Sequence, residues 1–176
     1  MLRTITLFGA IGGLIVSVPM VALMLLMPGE HGPPGGMIYG YTMMLLSLSM
    51  VFFGVKQYRD KVQGGVIKFV PALLLGLAIS FVACLFYVAG WELSIHLTGL
   101  DFADGYARAM IASAAAKGES GEKLAKLVQE MNAFKANYAH PLYRIPMTFV
   151  EMAPVGVLVS IVTAGVLRNS RVLPAH

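Results

Sequence analysis

Residues 69–90, FVPALLLGLAISFVACLFYVAG, hold no charged side chain. Coiled into a helix at 1.5 Å per residue, the run is about 33 Å long, enough to cross a hydrocarbon core of about 30 Å. Three more runs of the same kind lie at 4–27, 37–55 and 147–167, and Glu151 is the one charge inside any of the four. The pattern predicts an all-α polytopic membrane protein. It forms a single membrane domain over 1–176, with four transmembrane helices in a four-helix bundle. Composition agrees, because 57% of residues are hydrophobic, 12% are charged and the mean hydropathy is +0.75, whereas soluble domains are about a quarter charged.

The charges between the runs sort by sign. With the N-terminus cytoplasmic, the inner set is Arg3, Lys56, Arg59, Lys61, Lys68, Arg168 and Arg171, opposed by Asp60 alone. The outer set mixes Arg108, Lys117, Lys123, Lys126, Lys135 and Arg144 with Glu30, Glu92, Asp101, Asp104, Glu119, Glu122, Glu130 and Glu151. Basic loops are retained in the cytoplasm, so both termini are expected there. The first run is longer than the h-region of about 7–15 residues found in a secretory signal, and no small-x-small site closes it, so it reads as a retained span. The pI of 9.3 reflects this sorting, and no nucleic-acid partner is expected, since the basic residues lack interleaved stacking aromatics. Cys84 is the single cysteine, which rules out a disulfide within one chain and a cysteine metal cluster.

The connections carry further expectations. Residues 28–36 form a Pro/Gly turn that makes the first two spans antiparallel neighbours. The inner loop 56–68, KQYRDKVQGGVIK, anchors topology, and Lys56, Tyr58, Arg59 and Lys61 are its candidate lipid-headgroup contacts. The outer segment 98–144 predicts an extracytoplasmic amphipathic helical hairpin. Asp101 and Ser120 would cap its two helices, Gly118 would close the first and His140-Pro141 would end the second. Leu124, Leu127, Val128, Met131, Phe134 and Tyr138 make one apolar stripe, with Glu122 and Lys126 paired on the wet side. The stripe must lie on the membrane, on the spans or on another chain.

Small residues recur every four positions: Gly9, Gly13 and Ser17 in the first run, Gly76, Ser80 and Cys84 in the third, Gly156, Ser160 and Ala164 in the fourth. Such faces let helices approach closely, within one chain or between copies. Glu92, at the end of the third run, and Glu151, one turn into the fourth, are costly as charges at that depth unless they are paired. With His96 and Arg144 they make a candidate polar site, read as a structural lock, a proton or cation relay, or a metal site. Tyr39, Tyr87, Trp91 and Tyr143 stand where interfacial anchors belong. The twelve methionines are scattered without a repeated M-x-x-M array and read as apolar filler. No cofactor and no metal are expected.

Two blocks, 52–92 (FFGVKQYRDKVQGGVIKFVPALLLGLAISFVACLFYVAGWE) and 138–168 (YAHPLYRIPMTFVEMAPVGVLVSIVTAGVLR), resemble the bacterial membrane family catalogued as domain of unknown function 4199. The resemblance rests on GVKQYRD, the Gly-Gly loop and TFVEMAPVG, and places Tyr58, Arg59, Gly65, Glu92, Pro141, Phe149, Glu151, Pro154 and Gly156 as motif members. It implies a four-span bacterial inner-membrane protein and no activity. Three functions remain open: a non-enzymatic scaffold or accessory subunit that packs with itself or a membrane partner protein; an oligomeric channel or carrier lined by the outer carboxylates; and, last, a metal-dependent membrane enzyme. For the last there is no nucleophile with a base, no phosphate loop and no H-E-x-x-H helix, so the chain is expected not to be an enzyme. The lipid bilayer is its expected partner.

Overall fold

The computed structural model describes residues 1–26, 36–99 and 102–174. Among them are six helices and no strand: α1 (Leu2–Leu26), α2 (Gly36–Val62), α3 (Phe69–Thr98), α4 (Phe102–Ala116), α5 (Glu122–Tyr138) and α6 (Pro141–Leu167). Four of these, α1, α2, α3 and α6, are long and apolar enough to cross a membrane, with mean hydropathies of 2.3, 1.7, 2.5 and 2.0. The Pro/Gly turn and the Asp101 cap fall outside the described residues.

Helix α3 touches α1, α2 and α6, and its most extensive contacts are with α1 and α6. Its contact with α1 is possible only because glycine faces a side chain at each step. A Cβ on Gly9 would fall 2.5 Å from Val82 Cβ, one on Gly13 2.3 Å from Phe86 Cβ, and one on Gly90 2.6 Å from Ser17 Cβ. Both partners advance together by four residues, so α1 and α3 are parallel. Against α6 the exchange is reciprocal: Gly76 meets the Ser160 side chain and Gly156 meets Ser80, with hypothetical Cβ distances of 3.1 and 3.0 Å. The numbers now run in opposite directions, so α3 and α6 are antiparallel. The small-residue faces are thus spent inside one chain. Their serines cost little, because Ser17 donates to the Gly13 carbonyl at 2.8 Å and Ser160 to that of Gly156 at 2.7 Å. Leu48, Val51, Val55, Leu75, Ile79 and Met152 fill the space between α2, α3 and α6 and are fully buried.

Element ends differ from the sequence reading in four places. Helix α2 continues through the basic stretch to Val62, because Lys56 and Asp60 pair one turn apart at 2.6 Å and no breaker occurs before Gly64 and Gly65, whose φ of 64° and 88° make the turn. Helix α3 extends past Gly90 to Thr98 and stops at Gly99. Helix α6 begins at Pro141, ahead of Met147, since proline suits a first turn. Ser120 does not cap α5; Gly121 occupies that position with no side-chain cap.

Helices α4 and α5, joined through a turn at Gly118 (φ 83°), pack on each other. Ala103, Ala107 and Ala114 are the buried face of α4, and the half-buried stripe of α5 lies opposite, with only Tyr138 fully buried in it. Among the described residues Glu122 and Lys126 form no ion pair. The tie instead is Asp104, which accepts from Lys135 across the pair and forms an ion pair with Arg108 at 2.9 Å; the Lys135 hydrogen bond first, and then the Arg108 charge, hold its carboxyl below the usual range.

The glycine contacts make a sharp prediction. Gly13→Leu drives a side chain into Phe86 and should lower stability in detergent by about 2–3 kcal/mol. Gly40→Leu, with nothing within 4 Å, should leave the melting temperature unchanged; equal losses would refute the packing.

Candidate functional site

The charged groups of the long helices gather at two ends. At the end shared by the start of α1 and the finish of α6, Arg59 has no exposed surface. Its Nε donates to Asp60 Oδ1 at 2.7 Å, Nη1 to the carbonyls of Val172 at 3.0 Å and Leu167 at 3.5 Å, and Nη2 to that of Leu173. Among the described residues Leu173 is the one non-glycine residue with positive φ, at 50°. A helix C-terminus presents unsatisfied carbonyls and partial negative charge, and a guanidinium answers both. This corrects the expected headgroup role of Arg59, since an enclosed and fully engaged side chain reaches no lipid. Lys56 is tied to Asp60, Tyr58 packs against the core and accepts from Gln63 at 3.4 Å, and Lys61 is exposed.

The opposite end, where α3, α5 and α6 meet, holds the candidate carboxylates. Arg144, in the first turn of α6, grips Glu92 with two bonds, Nε to Oε1 at 2.7 Å and Nη2 to Oε2 at 2.5 Å. Both are largely shielded, with side-chain exposures of 13% and 27%, so the parallel fork is stronger than a surface pair. The same guanidinium donates to the Tyr138 carbonyl at 3.3 Å and lies 5.8 Å from the centre of the Tyr138 ring. Trp91, one residue before Glu92, donates from Nε1 to the Tyr138 hydroxyl at 2.7 Å. Burial pushes that phenol up to about 12, so it stays protonated at any physiological pH. Rings of Trp91, Phe102, Tyr106, Phe134 and Tyr138 continue from this point between α4 and α5 at centroid spacings of 5.0 to 6.0 Å.

Glu151 takes no part in the fork. It is exposed on α6, and Oε2 accepts from the buried Tyr87 hydroxyl at 3.0 Å. His96 is exposed and has no polar partner among the described residues, so the Glu92 and His96 spacing brings nothing together. No group of three metal-ligating side chains occurs among the described residues. Tyr87 and Trp91, expected as interfacial anchors, instead hydrogen-bond to Glu151 and Tyr138. Their spacing of four, which puts both on one helical face, was the available sign that they point at neighbours.

A model of the family described as protein of unknown function (DUF4199) matches residues 7–169. The chain belongs to this family. The match takes in Arg59, Glu92, Arg144 and Glu151, and the family description assigns no activity. No curated protein and no solved structure matches the chain.

Removing Arg144 leaves Glu92 shielded and unpaired. Arg144→Met should cost about 2 kcal/mol and speed proteolysis in the turn between α4 and α5, and adding Glu92→Gln should restore part of the loss. Additive losses in the double variant would mean that the fork is not a coupled unit.

Proposed function

We propose that the protein is a non-enzymatic scaffold or accessory subunit of a bacterial inner membrane, which packs with itself or with a partner protein and displays the α4–α5 hairpin on the outer face. The observation that carries this reading is how the strongest polar groups are used. Arg144, Glu92, Trp91 and Tyr138 are consumed in bracing α5 onto α3 and α6, and the space between α2, α3 and α6 is filled by apolar side chains. A carrier needs groups held ready for cargo, whereas these are closed on one another.

The excess of Lys and Arg at the end bearing Arg3, Lys61, Lys68 and Arg168 supports cytoplasmic termini. Labelling tests this directly, because Cys84 is buried and gives little background. Lys117→Cys should react with a membrane-impermeant maleimide in intact cells, and Ser170→Cys only after permeabilisation; the reverse pattern would overturn the orientation. Vesicles holding the purified protein should pass protons and small cations no faster than protein-free vesicles. A saturable flux abolished by Glu151→Gln would replace the scaffold with a carrier.

A further inference from the structure

Of the two carboxylates carried by the long helices at the α4–α5 end, Glu92 and Glu151, one has no counter-charge among the described residues. Glu92 is held by a fork of two bonds, but Glu151, exposed on α6, has the Tyr87 hydroxyl as its one polar partner among the described residues. Tyr87 is buried, so one carboxylate oxygen is pinned from inside while the other has no partner. Depth decides what can reach it. Leu167 closes the apolar run of α6, and the sixteen-residue rise from there to Glu151 is about 24 Å, just short of the boundary of a core about 30 Å thick. Helical side chains tilt toward the helix N-terminus, which in α6 is the near membrane surface, so the carboxylate reaches the level where headgroups begin.

A second copy of the chain brings no cation from its spans to that level. The apolar runs contain no Lys or Arg, and Arg144, the basic residue nearest to Glu151 in sequence, is spent on Glu92. On the side of α6 below Glu151, Pro154, Leu158 and Val162 follow at one-turn intervals, with Leu158 62% and Val162 64% exposed. A carboxylate at the headgroup boundary above an open apolar track matches one kind of molecule.

We propose that Glu151, oriented by Tyr87, binds the primary ammonium of an aminophospholipid such as phosphatidylethanolamine, whose acyl chain lies along Pro154, Leu158 and Val162. The ammonium supplies both the missing positive charge and an N–H donor for the unpartnered oxygen. The site requires a membrane-spanning chain and is independent of the scaffold reading.

Native mass spectrometry of the protein, taken from nanodiscs of equal phosphatidylethanolamine and phosphatidylglycerol, tests the site. Wild type should retain the ammonium lipid over the glycerol lipid by roughly threefold, the scale of one partly exposed charge pair. Glu151→Gln should retain the two equally, and Tyr87→Phe should weaken the preference, with both variants eluting as folded, monodisperse species. Should Glu151→Gln misfold, melting decides: added phosphatidylethanolamine should raise the wild-type melting temperature and phosphatidylglycerol should not. Equal retention by the wild type, a preference that survives Glu151→Gln in folded protein, or saturation of the site instead by an apolar helix bearing one lysine would overturn the proposal.

Discussion

Helices dissolved in lipid gain nothing from hiding apolar surface from one another, because the lipid tails are as apolar as leucine. What holds these spans together is how closely their backbones approach α3. Gly9, Gly13 and Gly90 remove the atoms that would keep α1 and α3 apart, and the Gly76/Ser160 and Gly156/Ser80 exchanges do the same for α3 and α6. Many weak dispersion contacts then become available at once. Helix α2 joins by both means: a Cβ on Gly12 of α1 would fall 2.8 Å from the Ser47 carbonyl, and Leu48, Val51 and Val55 lose all exposure in the groove so formed.

Each end of this assembly is fastened by an arginine, and the two do different work. Arg144 binds a carboxylate from α3 and so fixes the α4–α5 pair to the spans. Arg59 binds mainly backbone carbonyls and so fixes the segment after α6 to the end of α2. Arginine suits both places because its planar fork stays charged when enclosed and offers several donors in fixed directions.

The four spans were legible because charge, Glu151 apart, is absent from their apolar runs, a signal that no local detail disturbs. Their ends were less so. The basic stretch after Val55 reads as a loop by polarity, yet nothing in KQYRDKV stops a helix, and the Lys56–Asp60 pair favours one. The small-residue faces were visible as a period of four, but a period does not name its partner, and whether they pack within the chain took coordinates to decide. At the candidate site the spacing of Glu92 and His96 was visible and idle, whereas Glu92 and Arg144, far apart in sequence, meet only once α3 and α6 are set in register. Arg59 hid its role for a related reason: apart from Asp60, its acceptors are backbone atoms, which leave no trace in residue identity.

The grip of Arg59 also bears on the order of assembly during synthesis. Its carbonyl acceptors on Leu167, Val172 and Leu173 lie 108, 113 and 114 residues downstream. A guanidinium emerges from the ribosome early and must stay hydrated until those last acceptors are made. The contacts of Arg59 at the end of α2 therefore close late, after all four apolar segments have been made, and a chain interrupted before residue 172 would leave that guanidinium without its Val172 and Leu173 acceptors.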